Sequence, residues 1–181
     1  MANALVWIDM EMTGLEPDVN TIIEIATLVT DDQLNLIAEG PNLAIYQDQA
    51  TLALMDEWYQ TQHKKSGLLD RVRASSETLA SAQAKTLEFL ALYCEPKSSP
   101  LCGNSIHQDR RFIHRYMPLL DSFLHYRLID VSTLKELSNR WYPTLPKYQK
   151  GENHLALNDI RESVAELRYF REKMFRSELA P

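Results

Sequence analysis

The chain has 181 residues, 45% of them hydrophobic and 24% charged, which excludes disordered and fibrous classes and fits one domain, residues 1–181, with a core of its own. Nineteen basic residues stand against 25 acidic ones, a net charge of −6. Such a chain is not a basic coat for duplex nucleic acid, so any nucleic-acid partner has to be held locally or through bound cations.

Ala4 to Met10 is a short apolar run of strand formers, and Thr21 to Thr30 is a longer β-branched one. Leu34 to Tyr46 resumes after Asp31-Asp32, so the pair reads as a hairpin with a bulge or bend at Gly40-Pro41. Asp56 to Lys64 is a short helix. Ser75-Ser76-Glu77 starts a longer one, with Leu79, Ala82, Thr86, Leu87, Leu90 and Ala91 at helical spacing, and Glu95 to Pro100 breaks it. Leu101 to Asn104 is a short strand, Asp109 to Leu120 a helix with Pro118 near its end, and Arg127 to Val131 a strand leading into a helix through about Arg140. Trp141 to Gly151 is a loop with two prolines. Leu155 to Phe175 is the strongest helix, with Leu157, Ile160, Val164, Leu167 and Phe170 near one face. The order β-β-β-α-β-α-β-α predicts an α/β fold with a mixed sheet flanked by helices.

The two cysteines, Cys94 and Cys102, lie among apolar neighbours with no second pair to complete a zinc site, and read as buried reduced thiols. The N-terminus has no basic segment of a signal peptide and carries an acid at position 9. No apolar run approaches the roughly 20 residues of a membrane span. The expected location is the cytoplasm, with no membrane partner.

Asp9 and Glu11 stand two apart on the first strand, so both project from the same face. A surface strand with an acidic edge is the ordinary explanation. Here the strand is otherwise apolar and reads as central, where two adjacent carboxylates are costly without a neutralising cation. Asp109 follows a short strand at a helix start, and Asp159 lies one turn inside the last helix, between Leu157 and Ile160. Either alone is a plain helix-start or solvated acid. Together, four carboxylates from one strand and two helices suit two divalent ions, Mg²⁺ or Mn²⁺, about 4 Å apart for phosphoryl transfer. His154, at the loop-to-helix junction, is the candidate general base, since an imidazole can be neutral at cell pH.

The order Asp-x-Glu, Asn-x4-Asp, His-x4-Asp resembles the three motifs of the DEDDh family of 3′→5′ exonucleases, which have an RNase H-like fold. Asp9 to Leu15, Gly103 to Phe112, His125 to Leu137 and His154 to Leu167 closely resemble the oligoribonuclease branch, and the likeness runs from about residue 4 to 175. The resemblance implies a metal-dependent 3′→5′ exoribonuclease that cleaves very short single-stranded RNA, especially diribonucleotides, to 5′-mononucleotides. It would complete RNA decay and clear linear dinucleotides, working as a homodimer. By motif, Asp9, Glu11, Asp109 and Asp159 are metal ligands and His154 the base. Leu15 matches a wedge between the two bases, and Trp58 and His63 match residues lining the base pocket. Ser105, Arg127 and Ser132 match residues around the 5′ phosphate, and Tyr126 a tyrosine delivered across the dimer interface. An arginine fork suits a terminal phosphate, and an aromatic face stacks on any base.

Two positions depart from the pattern: His107 replaces an expected glycine and Asn158 an expected aspartate. His107 bears on the backbone before Asp109 and could add a cation near the phosphate, with a solvated histidine as the plainer reading. Two competing functions are a tRNA-trimming or proofreading exonuclease, separated by activity on a dinucleotide against a long strand, and a non-catalytic module, separated by chelator-sensitive hydrolysis.

Overall fold

The structure, a computed structural model, describes residues 4–149, 151 and 156–175. Its sheet begins with β1 (Leu5–Met12), β2 (Ile22–Thr30) and β3 (Leu36–Ala44). Three short helices follow: α1 (Gln49–Ala53), α2 (Glu57–Lys65) and α3 (Leu68–Ala74). Next come α4 (Leu79–Ala91), β4 (Leu101–Gly103), α5 (Ile106–Tyr116), α6 (Pro118–Phe123), β5 (Leu128–Asp130), α7 (Val131–Trp141) and α8 (Ala156–Met174). The strand order is β3-β2-β1-β4-β5. The first three strands are antiparallel, and β4 and β5 continue parallel to β1. This is the mixed sheet flanked by helices that the sequence predicts, with β1 at its centre.

Alternation along β1 decides what each layer holds. Val6, Ile8, Met10 and Met12 face one way and pack with Ala82 and Leu90 of α4, Phe112 and Ile113 of α5 and Leu120 of α6. Trp7 faces the other way, toward Ile160, Val164 and Phe170 of α8. Its indole N–H donates to Thr30 Oγ1 at 3.0 Å, so the buried ring leaves no polar group unpaired. Asp9 and Glu11 continue the Trp7 face, and α8 covers it. The apolar face of α8 is the one its periodicity predicts.

The bulge at Gly40-Pro41 is present: pairing passes from Ala26↔Asn42 to Leu28↔Glu39, leaving one extra residue on β3. A Cβ on Gly40 would lie 2.5 Å from the Phe89 ring, so close helix packing requires glycine there. Other elements differ from expectation. α1 and α3 are absent from the sequence reading because each is too short for a periodic signal, yet Leu52, Met55, Leu68, Leu69 and Val72 bury against Ile23. The helix expected over Asp109–Leu120 is two. α5 starts at Ile106 and ends before Met117, while Pro118 opens α6, where its missing N–H costs nothing. Asp109 therefore lies inside the first turn of α5. No helix among the described residues is long and apolar enough to cross a membrane.

Candidate active site

β1 carries Asp9 and Glu11 to the face that α8 covers, and the first turn of α8 brings Asp159 over them. A carboxylate oxygen from each of the three lies within 4.8 Å of those of the other two. Asp109 stands beside this trio, buried in the first turn of α5, with Oδ1 accepting the Met10 backbone N–H at 3.0 Å. Three of the four predicted acids thus converge directly. The fourth is tied to the strand between Asp9 and Glu11.

The electrostatics of the cluster follow from that crowding. Burial holds the Asp9 carboxyl well above its ordinary range, and the charges of Asp109, Glu11, Asp159 and Glu24 push the same way. Glu11 is pushed up to about 8, by burial first and then by Glu24, Asp159 and Asp109. Asp109 is raised to about 7, mainly by burial, against hydrogen bonds that favour its charged form. Carboxylates so placed resist ionisation until a cation shares the site. An all-oxygen set of this density suits a hard divalent ion, so the residues present fit the metal that the sequence implies.

Glu24 is a fifth acid that the sequence reading misses. It is fully buried on β2, directly opposite Glu11, and its Oε1 lies 2.6 Å from Arg71 Nη2 of α3. Only the hairpin register connects positions 11 and 24, and no local spacing announces it.

His63 lies behind Glu11. Its Nε2–H donates to the Met12 carbonyl at 3.0 Å, leaving Nδ1 as the unprotonated nitrogen, 3.8 Å from Glu11 Oε2. Burial pulls its pKa down, and only 4% of the residue is exposed. Trp58, on the same helix, is 64% exposed and meets Tyr59 edge to face at 4.9 Å. Leu15 is exposed in the bend after β1. There Asn20 Oδ1 accepts the Glu16 N–H, and a Cβ on Gly14 would lie 2.5 Å from that oxygen. The Leu15 carbonyl accepts from Arg111 at 3.3 Å.

The structure brings Ser105 and Ser132 together at the C-terminal ends of β4 and β5, hydroxyls 3.2 Å apart. Ser105 takes a left-handed backbone (φ 50°), and its N–H is shared between Asp130 Oδ1 and Ser132 Oγ, both at 2.9 Å. Arg127 is not beside them. It is exposed at the other end of β5, its guanidinium 5.3 Å over the Tyr126 ring, and Tyr126 is 74% exposed. His107 is a solvated helical residue with Nδ1 3.4 Å from Asp130 Oδ2, and the backbone before Asp109 is regular helix from Ile106. Asn158 is half-buried beside Asp159 in α8. His154 lies outside the described residues. Cys94 and Cys102 are both buried free thiols, as expected.

Residues 6–167 match the RNase_T exonuclease family. The chain is 60% identical over 168 residues to an oligoribonuclease of Pseudomonas syringae pv. syringae, covering 93% of this chain and 94% of that one. To an oligoribonuclease of Shewanella baltica it is 59% identical over 175 residues, covering 96% and 97%. Among solved structures it is similar to an exonuclease I from Methylocaldum szegediense, with TM-score 0.71 and 17% identity over 95% of this chain. It is also similar to E. coli exonuclease I in complex with a dT13 oligonucleotide, with TM-score 0.72 and 16% identity over 96% of this chain. The chain spans only 41% and 42% of those two structures, so the likeness to them is one of fold.

Proposed function

The chain belongs to the oligoribonucleases, metal-dependent exoribonucleases of the RNase_T exonuclease family, and on that premise we propose that it degrades very short single-stranded RNA, above all diribonucleotides, from the 3′ end to 5′-mononucleotides. The observation that carries this reading is the convergence of Asp9, Glu11 and Asp159 on one small volume, with Asp109 alongside. On this reading residues 1–181 form one exonuclease domain that acts in the cytoplasm, finishing RNA decay and clearing linear dinucleotides.

Asp9, Glu11, Asp109 and Asp159 would hold two divalent ions, Mg²⁺ or Mn²⁺, which supply the positive charge that favours attack by water and departure of the 3′ oxygen. His154 accepts a proton from the attacking water as its oxygen bonds to phosphorus. The bond from phosphorus to the 3′ oxygen breaks, that oxygen takes a proton from solvent water as it leaves on the shortened partner, and His154 returns its proton to solvent. Leu15, exposed at the bend, separates the two bases, and the exposed Trp58 offers a face for stacking. His63 serves this pocket from beneath: its hydrogen bond to Met12 holds the end of β1 against α2, and its Nδ1 faces Glu11. Ser105 and Ser132 receive the substrate's 5′ phosphate. Arg127 and Tyr126, exposed together at the other end of β5, would reach the partner's 5′-phosphate site in a homodimer, the guanidinium as a planar fork of donors.

Hydrolysis of a 5′-phosphorylated diribonucleotide, followed by chromatography of the mononucleotides, tests the proposal. Chelator should abolish turnover, and Mg²⁺ or Mn²⁺ should restore it. Full turnover in excess chelator would overturn the assignment of the four acids.

A further inference from the structure

Asn104 follows β4 and takes no part in the chemistry above, yet three elements meet at its side chain. Its amide N–H₂ donates to Ser163 Oγ at 2.8 Å and to Glu166 Oε2 at 3.0 Å, both on α8. Its Oδ1 accepts the Ser132 hydroxyl at 3.1 Å. Chemistry fixes this orientation, because a carboxylate such as Glu166 can only accept and so must face the amide nitrogen. Glu166 is 1% exposed and also pairs with Lys135 Nζ at 3.2 Å. Ser163 in turn donates its hydroxyl to the Asp159 carbonyl at 2.8 Å. One amide therefore joins the serine pair to the residue whose carboxylate enters the acid cluster. A buried polar network of this kind is costly unless complete, and complete networks hold one arrangement firmly.

We propose that Asn104 is a positioning residue that couples a terminal phosphate at the Ser105–Ser132 pair to the placement of Asp159. This rests on the reading of that pair as the 5′-phosphate site. The Ser132 hydroxyl has a single proton, which it donates to Asn104 Oδ1 and which a phosphate oxygen would draw. Phosphate binding thus changes the bonding of Asn104, and through Ser163 it bears on the first turn of α8. A terminal phosphate then acts on kcat as well as on KM, so recognition of the substrate's end is used in turnover and not only in affinity.

The test measures kcat and KM on one dinucleotide sequence, with and without its 5′ phosphate, for the wild type, Asn104→Ala and Ser163→Ala. In the wild type the phosphate should raise kcat on the order of tenfold, within the usual range of coupling between sites. In both variants kcat for the two substrates should become equal, while the lower KM for the phosphorylated one persists because both serines remain. Ser163→Ala removes one oxygen and keeps the Asn104–Glu166 bond, so it carries the test if Asn104→Ala fails to fold by circular dichroism. Three results would overturn the coupling: kcat falling by one factor for both substrates, the phosphate-dependent gain surviving in both variants, or a wild-type kcat that ignores the phosphate while KM responds. A wild type indifferent to the phosphate in both constants would instead overturn the phosphate-site reading beneath it.

Discussion

At Asp9, burial and four neighbouring carboxylates act on one side chain. Its carboxyl, that of Glu11 at about 8 and that of Asp109 at about 7 all bind protons more tightly in the folded chain than in the unfolded one, where carboxyls titrate near 4. The folded state therefore holds the extra protons, and stability present below about pH 4 is lost as pH rises through 7 to 8. In chelator, the midpoint of thermal unfolding should fall between pH 6 and pH 9, and saturating Mg²⁺ or Mn²⁺ should flatten that fall. A chelated protein equally stable at both values would remove the crowding argument. Asp9→Ala should rank among the most damaging substitutions for turnover. His154→Ala should lower kcat by roughly 10²–10⁴ with much less change in KM, read from steady-state kinetics on dinucleotide.

At the scale of elements, β1 shows why part of the site is legible in the sequence. Period-two alternation alone places Asp9 and Glu11 on one face, and the 3.6-residue period of α8 puts Asp159 at its start beside a buried face. Glu24 and Arg71 are illegible by the same reasoning. Their contact depends on strand register and on where a seven-residue helix docks, and neither leaves a local pattern. The Asn104 network is hidden for the same reason, since its partners lie 28, 59 and 62 positions away. The ion pair fastens α3 to β2 behind the acid cluster. Arg71→Met would strand a fully buried carboxylate, and should cost about 2–3 kcal/mol by urea unfolding, below the value for two fully buried partners because Arg71 is 39% exposed. Adding Glu24→Gln should recover most of that loss. A neutral Arg71→Met would show that the pair does not hold the helix.

For the whole molecule, the separation along β5 matters most. The serine pair lies at one end of the strand, and Arg127 with the exposed Tyr126 lies at the other. If Tyr126 works in a partner's site, Tyr126→Ala should depress turnover with all four acids intact, and a dimer-breaking substitution should do the same. Sedimentation paired with kinetics would read both, and a fully active monomer would contradict the arrangement. Arg127→Ala should cost most on phosphorylated dinucleotide and little on longer RNA. All of this depends on a site closed behind a two-nucleotide substrate, where a terminal phosphate fits and a continuing chain collides. The measurement that reaches this most directly is kcat/KM of the purified protein, with Mg²⁺ or Mn²⁺, on 5′-phosphorylated RNAs of two to seven nucleotides compared side by side. A site closed in this way gives a clear maximum at two nucleotides and a steep fall with each addition. Equal efficiency on two and seven nucleotides would contradict it and leave a general exonuclease in its place.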